Sequence, residues 1–164
     1  MTVPIILTNT VERLAQLLTE REWMLATAES CTGGWVAEAV TSVPGSSAWF
    51  DRGFVSYSNA AKTEMLDVSA ATIADYGAVS IETAAAMATG ALAASHAHAA
   101  LAVTGIAGPD GGTPDKPVGT VCFAWVRRGS APLTQILQFN GNREAVRRQS
   151  VIAALNGLFA VLEG

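Results

Sequence analysis

Cysteine is scarce in this chain, which has only Cys31 and Cys122 among its 164 residues. Two cysteines do not make a disulfide framework in a domain of this size, so we expect a reducing compartment. Long hydrophobic runs are also missing, because glycine, polar or charged residues interrupt each apolar stretch before it reaches membrane-spanning length. The apolar residues 3–7 lack the basic flank of a signal peptide. These absences predict a cytoplasmic protein with no membrane partner.

Positive charge is limited as well. Ten lysines and arginines stand against fourteen aspartates and glutamates, which gives a net charge of −4. Domains that bind nucleic acid usually carry a strong basic field, so we expect no nucleic-acid partner. Arg143, Arg147 and Arg148 cluster near the C-terminal end, and we interpret them as part of a solvated face.

Histidine is equally rare, and the chain contains only His96 and His98. Both follow an alanine-rich helical segment, and a spacing of two places them on different sides of a helix. Neither lies beside a turn at the end of a strand. We therefore expect neither a Ser-His-Asp triad nor a metal site, and we interpret the pair as structural or exposed.

Apolar residues make up half of the chain and charged residues 15%, which is enough to bury a core in one domain spanning residues 1–164. Hydrophobic periodicity and capping residues predict the element order α β α β α α α β β β α. Helices are predicted at residues 11–21 after a Thr10 cap, 32–43, 60–66 after an Asn59 cap, between a Ser69 cap and Gly77, 80–94, and 143–162 after an Asn142 cap. Strands are predicted at residues 24–28, 49–57, 99–104, 118–127 and 133–139.

This element order predicts an α/β fold. Strands separated by helices form parallel pairs with right-handed crossovers, and the closing hairpin adds an antiparallel strand. We expect three α/β/α layers around a mixed five-stranded sheet with one antiparallel strand. Parallel strands end at the same edge of a sheet, where α/β proteins bind their ligands. The residues that follow the strands are therefore the candidates for chemistry.

Ser30 is the first of these candidates, within residues 28–35, which read Ala-Glu-Ser-Cys-Thr-Gly-Gly-Trp. Two glycines at a strand-to-helix turn let the backbone approach a ligand, and N–H groups at a helix start stabilise negative charge. Ser30 is thus a candidate nucleophile, with the N–H groups of Thr32, Gly33 and Gly34 as oxyanion donors. An ordinary capped turn remains an alternative interpretation. Cys31 is a rival nucleophile, because a helix N-terminus activates a thiol.

A serine hydroxyl needs a base, and Lys62, which follows the second strand, is the candidate. The positive end of a helix and partial burial both lower a lysine pKa, whereas an exposed lysine is the alternative. Tyr57, at the end of the same strand, is a candidate proton relay or orienting group for Ser30. Glu29 is a candidate partner of Lys62 or of a substrate hydroxyl, and Thr104 ends the third strand at the same edge.

A glycine-rich loop at residues 105–117 follows the third strand, with four glycines and three prolines. It has neither the P-loop ending nor the Rossmann spacing. Gly105 and Gly108 nevertheless belong to a loop at the ligand-binding edge, which predicts either an anion-holding loop or a structural turn. Arg143, near the start of the final helix, is a candidate bidentate phosphate contact.

Several of these stretches resemble one known family. The Ala-Glu-Ser-Cys-Thr-Gly-Gly of residues 28–34 and the Gly-Ile-Ala-Gly-Pro-Asp-Gly-Gly of residues 105–112 closely match the C-terminal domain of competence/damage-inducible protein CinA. The same match extends, in order, to residues 45–50, 53–59, 61–62, 77–80, 116–121 and 143–149. The resemblance covers nearly the whole chain, and several long motifs make it specific.

This resemblance implies a hydrolase of bacterial pyridine-nucleotide recycling, nicotinamide mononucleotide deamidase. Such enzymes convert the carboxamide to a carboxylate and release ammonia. The resemblance implies Ser30 as nucleophile, Lys62 as base, Tyr57 in support and Thr104 near the substrate. It implies no cofactor and no metal, and a pyridine nucleotide as the small-molecule partner.

The resemblance also implies the stand-alone form of the domain and a homodimer. Trp35 and Trp49, interpreted as exposed, are compatible with such an interface. Two other functions stay open at this point. One is a non-catalytic nucleotide-binding module that uses the same edge, and the other is a regulatory or interaction domain. Release of ammonia from a nucleotide separates the enzyme from both.

Overall fold

The fold is organised around one mixed β-sheet. The structure is a computed structural model and describes residues 3–163, so the domain predicted over residues 1–164 extends beyond the described part at both ends. The helices are α1 (Val3–Arg21), α2 (Trp35–Thr41), α3 (Asn59–Leu66), α4 (Ala70–Tyr76), α5 (Ile81–Ala93) and α6 (Arg143–Glu163). The strands are β1 (Leu25–Glu29), β2 (Phe50–Val55), β3 (Ala99–Gly105), β4 (Thr120–Arg127) and β5 (Leu133–Gln138).

The strand order in the sheet is β2-β1-β3-β4-β5. β1 pairs in parallel with β2 and β3, whereas β4 runs antiparallel to both of its neighbours, β3 and β5. β4 is therefore the one strand of this sheet that opposes the other four, which confirms the predicted fold class. Because β1, β2 and β3 are parallel, their last residues, Glu29, Val55 and Gly105, lie at the same edge.

The two faces of the sheet carry side chains of different size. On one face, large residues such as Leu101 and Phe123 pack with buried residues of α1, α2 and α6. On the other face, small residues such as Ala100 and Ala102 pack with the alanine-rich α5. Consecutive residues of β3 contribute to opposite layers because side chains alternate along a strand. The result is the expected α/β/α arrangement.

Helix α5 also packs tightly against α3. A methyl group at Gly90 would overlap the carbonyl oxygen of Leu66, the last residue of α3. Since backbone cannot move aside as a flexible side chain can, this position requires glycine. The contact fixes the position of α3, the helix that carries Lys62.

Helix α1 is longer than predicted. It begins at Val3, so Thr10 lies inside the helix and does not cap it. Leu7, Val11 and Leu14 recur at helical spacing and pack into one core cluster, which explains the earlier start. Neither this helix nor any other between residues 3 and 163 is long and apolar enough to cross a membrane.

Two other helix starts differ from the prediction. Helix α2 begins at Trp35, three residues later than expected, because Gly33 and Gly34 adopt positive φ angles of 61° and 104°. Helix α3 is capped by Ser58, whose side chain accepts a backbone N–H, and Asn59 is the first helical residue. These shifts leave the element order as predicted.

The caps at Ser69 and Asn142 agree with the prediction, whereas Ser80, predicted as the first residue of its helix, is instead the cap of α5. Ser69 and Ser80 accept backbone N–H groups at the starts of α4 and α5, and Asn142 does so at α6.

The interpretation of Trp49 as exposed is wrong. Its side chain is 2% exposed and belongs to the core, so it offers no surface to a partner. Trp35 is partly buried.

Candidate active site

Ser30 and Lys62 meet at the edge where the parallel strands end. Ser30 follows β1 directly, whereas Lys62 lies in α3, and the two residues are only 7% and 1% exposed. The Nζ atom of Lys62 lies 3.1 Å from Oγ of Ser30. The structure thus brings together the candidate base and the candidate nucleophile, which are 32 positions apart in the sequence.

The other partners of the Lys62 amine are backbone carbonyl oxygens. Nζ lies 3.2 Å from the oxygen of Ser56 and 2.9 Å from that of Tyr57. The Oγ atom of Ser30 is itself 3.3 Å from the Tyr57 oxygen. Among residues 3–163 no carboxylate forms an ion pair with Lys62, so no full negative charge offsets a positive charge on the amine.

Burial lowers the pKa of Lys62 from its ordinary value of 10.5, because the charged form loses its hydration. The helix acts in the same direction, since the backbone N–H of Lys62 bonds the Ser58 carbonyl in the first turn of α3, at the positive end of the dipole. A neutral amine fits the observed contacts. Its N–H groups donate to the carbonyls of Ser56 and Tyr57. The Ser30 hydroxyl donates to the Tyr57 carbonyl here, and a rotation of its O–H turns the proton toward the lone pair of Nζ, 3.1 Å away.

The turn after Ser30 presents backbone N–H groups to the same edge. Gly33 donates its N–H to the Ser30 carbonyl at 3.0 Å. The N–H groups of Thr32 and Gly34 have no hydrogen-bond partner in the described part of the chain. Of the three expected oxyanion donors, two are therefore available, while that of Gly33 closes the turn. Unpaired N–H groups beside a nucleophile are the donors that an oxyanion requires.

The carboxylate of Glu29 holds the beginning of α2. Glu29 is 1% exposed, and its oxygens accept the Thr32 hydroxyl at 2.6 Å and the N–H groups of Val36 and Ala37 at 2.8 and 3.1 Å. A carboxylate at a helix N-terminus satisfies its unpaired N–H groups and interacts favourably with the dipole. Of the two candidate roles of Glu29, neither a pairing with Lys62 nor a free carboxylate for a substrate hydroxyl is seen, because its oxygens are occupied by these three donors.

Arg147 also belongs to this edge, although the sequence pointed to no role for it in the site. Its Nε donates to the carbonyl of Cys31 at 3.1 Å and its Nη2 to that of Thr32 at 3.2 Å. The guanidinium carbon lies 5.5 Å from the ring centroid of Trp35. The interpretation of the C-terminal arginines as a solvated face is thus wrong for Arg147. Its spacing of four from Arg143, which places both on one side of α6, was the available signal.

Tyr57 contacts the dyad through its backbone. Its carbonyl oxygen accepts from Lys62 and Ser30, whereas its hydroxyl lies 3.3 Å from Nη2 of Arg143, on a residue that is 59% exposed. Between residues 3 and 163 the hydroxyl has no hydrogen bond to either dyad side chain, so the expected proton relay is not formed. Arg143 also donates to the carbonyl of Gly108 at 2.7 Å. It thereby joins the glycine-rich loop to Tyr57 at the rim of the site.

Thr104 and Gly105 hold the beginning of the glycine-rich loop. Thr104 is 1% exposed and donates its hydroxyl to the carbonyl of Ala78 at 2.9 Å. Gly105 packs against β4, where a methyl group would come within 2.8 Å of the Val121 side chain. Both residues therefore place the loop at the sheet edge, and neither has a hydrogen bond to Ser30 in the described chain.

Cys31 is poorly suited to act as a nucleophile. It is 5% exposed, and burial raises the pKa of its thiol to about 12. Since the thiolate is the reactive form, a thiol of this kind is inert near neutral pH. The structure therefore favours Ser30 over its neighbour.

The two histidines lie at the opposite edge of the sheet. Nδ1 of His98 accepts the N–H of Met24 at 2.9 Å, just before β1, and its ring stacks on Trp23 with centroids 6.1 Å apart. The backbone N–H of His96 donates to Asp51, near the start of β2. These contacts confirm the structural interpretation and leave no imidazole beside Ser30.

Clusters of metal ligands and large cavities are two common markers of a functional site. Within the described ranges no group of three or more histidine, cysteine, aspartate and glutamate side chains is placed to hold a metal ion. A cavity of about 610 Å³ lies between α1, α2 and α6, bounded by Trp35 and Arg148, but neither Ser30 nor Lys62 lines it. The site is therefore identified by its chemistry rather than by the size of a cavity.

Comparison with known proteins identifies the family of this chain. The family model described as the CinA C-terminal domain matches residues 7–162. The chain belongs to this family. The resemblance read from the sequence motifs is thus confirmed over almost the whole length of the chain.

Two curated relatives of this CinA-family chain carry the same name. The nicotinamide-nucleotide amidohydrolase PncC of Pseudomonas putida is 56% identical over 152 residues, which cover 93% of this chain and 94% of the relative. The protein of the same name from Escherichia coli strain K12 is 51% identical over 148 residues, which cover 90% of each.

Solved structures show the same fold. The competence/damage inducible protein CihA from Agrobacterium tumefaciens matches with a TM-score of 0.94 at 44% identity, covering 97% of this chain and 96% of that chain. A CinA superfamily protein from Escherichia coli matches with a TM-score of 0.90 at 38% identity, covering 94% of this chain and 90% of that one.

Proposed function

We propose that this chain is a nicotinamide-nucleotide amidohydrolase, which hydrolyses the carboxamide of nicotinamide mononucleotide to nicotinate mononucleotide and ammonia. The observation that carries the proposal is the buried amine of Lys62, 3.1 Å from the Ser30 hydroxyl and without a carboxylate partner in the described chain. A neutral amine beside a serine is a base and nucleophile pair suited to cleaving an amide. The names of the two relatives supply the substrate class.

The reaction begins at the Ser30 hydroxyl. Its oxygen attacks the carboxamide carbon while its proton passes to the neutral amine of Lys62, and a tetrahedral intermediate forms. The new ammonium keeps the carbonyls of Ser56 and Tyr57 as acceptors. These two carbonyls therefore stabilise the protonated base without the full charge of a carboxylate, which would keep Lys62 protonated from the start.

The negative oxygen of that intermediate faces the turn after Ser30. The free N–H groups of Thr32 and Gly34 are its donors, and one such donor is typically worth about 3 kcal/mol. The intermediate collapses when the carbon–nitrogen bond breaks and the Lys62 ammonium gives its proton to the departing nitrogen. Ammonia leaves, and the nicotinoyl group remains as an ester on Ser30.

Water completes the reaction by hydrolysing this ester. Lys62, neutral again, accepts a proton from the water molecule as its oxygen attacks the ester carbon. Lys62 then returns that proton to the Ser30 oxygen as the ester bond breaks. The products are nicotinate mononucleotide and the original enzyme, so every proton is accounted for by one base.

The substrate phosphate is assigned to the rim of the site. Arg143, at the start of α6, brings a guanidinium to the glycine-rich loop through its bond to the Gly108 carbonyl. Guanidinium groups bind phosphate in a bidentate manner, and exposed loop N–H groups add further donors. Thr104 and Gly105 fix the loop in place.

Release of ammonia from purified protein with nicotinamide mononucleotide tests this proposal, with nicotinamide and the dinucleotide as comparison substrates. We expect Ser30→Ala to lower kcat at least about 10³-fold, since loss of a nucleophile removes most of the rate enhancement. Ser47→Ala changes an exposed serine in the 3₁₀ turn Ser46–Ala48 and is the matched control, with activity unchanged. Full turnover by Ser30→Ala contradicts the mechanism, and nucleotide binding without ammonia release from wild type contradicts the activity.

A further inference from the structure

Arg147 makes contacts that an exposed arginine on a helix surface does not need. Two nitrogens of its guanidinium bond the adjacent carbonyl oxygens of Cys31 and Thr32, in a turn 116 and 115 positions away. No carboxylate forms an ion pair with it between residues 3 and 163. Its partners are thus the backbone of the turn that follows the candidate nucleophile.

These contacts determine which way the peptide groups of the turn face. In a trans peptide, the C=O and the N–H of the same unit point in opposite directions. Because Arg147 binds the carbonyl of Cys31, the N–H of Thr32 in the same peptide unit points away from the guanidinium. That N–H has no hydrogen-bond partner in the described chain. Arg147 therefore acts on the orientation of a candidate oxyanion donor.

The guanidinium is itself held in place by two neighbours. It stacks over Trp35, the first residue of α2, and a methyl group at Gly33 would lie 3.6 Å from its Nη2. The Thr32 carbonyl that it binds also accepts the N–H of Trp35 at 3.1 Å. At the other end of this segment, the carboxylate of Glu29 accepts the N–H groups of Val36 and Ala37. The segment is therefore held by Glu29 through backbone N–H groups and by Arg147 through backbone carbonyls.

We propose that Arg147 is a positioning residue for the amide hydrolysis, which orients the Thr32 N–H toward the oxyanion, and that it does not bind the substrate phosphate. The inference rests on the proposed function. A planar guanidinium spans two carbonyl oxygens, whereas an ammonium is a point charge that cannot hold both in the same geometry. The residue is partly buried, and two of its three nitrogens are already bonded to the turn.

Steady-state kinetics of Arg147→Met and Arg147→Lys provides the test, with nicotinamide mononucleotide and with nicotinamide riboside, which lacks the phosphate. We expect Arg147→Met to lower kcat about 10²-fold, the usual effect of losing one oxyanion donor, with KM nearly unchanged and the same factor for both substrates. We expect Arg147→Lys to recover part of the loss. Arg148→Met is the matched control, since Arg148 only approaches Glu144 at 3.9 Å, and its kinetics should stay as in wild type.

Hydrogen exchange of the backbone supplies a readout that does not depend on activity. We expect faster exchange of the Val36 and Ala37 amides in Arg147→Met than in Arg148→Met. The reason is that the turn before α2 loses its hydrogen bonds to the guanidinium and is then held by Glu29 alone. A loss confined to KM, and to the substrate with a phosphate, overturns the proposal in favour of a phosphate contact. Unchanged kcat or unchanged exchange in Arg147→Met also overturns it. Failure of wild type to release ammonia overturns the proposed function itself, a result distinct from these.

Discussion

Replacing Lys62 with methionine removes the candidate base while keeping an unbranched side chain in the buried position. The change deletes three contacts of the amine, with the Ser30 hydroxyl and with the carbonyls of Ser56 and Tyr57. In the wild-type protein only the unprotonated amine accepts the serine proton, and burial lowers the pKa of Lys62 from 10.5. We therefore expect wild-type kcat/KM to rise with pH through the lowered pKa. Lys62→Met should lack this rise.

The expected size of the effect follows from the role of the base. A positioned general base contributes about 10²–10⁴-fold to the rate, which is about 3–5 kcal/mol of activation free energy. The loss should appear in kcat rather than in KM, because the amine contacts Ser30 and not the rim where the nucleotide phosphate is proposed to bind. Ammonia release measured at a series of pH values below 10.5 follows this rise in wild type and its absence in Lys62→Met.

The same substitution has an effect on stability with a defined sign. Because the pKa of Lys62 is lower in the folded protein, the unfolded chain binds more protons between that pKa and 10.5. The free energy of unfolding of wild type should therefore increase with pH across this window, and Lys62→Met should lack that contribution. Urea unfolding at several pH values measures it. Wild-type kcat/KM in Lys62→Met, or an unchanged pH dependence of its rate, would refute the assignment of the base.

Two further substitutions test the framework of the site. Glu29→Ala leaves the Thr32 hydroxyl and the N–H groups of Val36 and Ala37 without their acceptor. It should lower the free energy of unfolding by about 3 kcal/mol in urea. The exposed Glu38→Ala on the same helix should have little effect, and equal stability of the two variants contradicts the capping role of Glu29. Gly90→Ala should lower the free energy of unfolding by about 1–3 kcal/mol, because the methyl group overlaps the Leu66 carbonyl. A stabilised Gly90→Ala, as the helix propensity of alanine alone predicts, shows that this contact is loose.

The meeting of Ser30 and Lys62 was predictable from the sequence. Each residue follows a strand that is separated from the next by a helix, and such strands are parallel, so the two side chains emerge at one edge. The order of elements and the single antiparallel strand follow from the same periodicity. The features that the sequence predicted are thus those that depend on the direction of the strands and on which residues follow their ends.

The contacts made by backbone atoms were not predictable in this way. The carbonyl of Tyr57 binds the dyad although its hydroxyl was the expected group, because every residue carries a carbonyl and no residue type marks the ones that matter. Glu29 caps α2 because the helix starts only at Trp35, after two glycines with positive φ. The apolar pattern alone placed that start three residues earlier, so it did not reveal the capping role of Glu29. Arg147 reaches the turn through a long side chain, which hydrophobic periodicity does not register.

The ionisation of Lys62 in the folded protein is the most direct test of the central claim, that an unprotonated lysine activates Ser30. The chain contains only two lysines, Lys62 and Lys116, so lysine labelled with ¹³C at Cε gives two side-chain signals in an NMR titration. The signal that disappears in Lys62→Met belongs to Lys62. It should titrate below the ordinary value of 10.5. Titration of that signal at or above 10.5 would show that the amine stays protonated and cannot serve as the base.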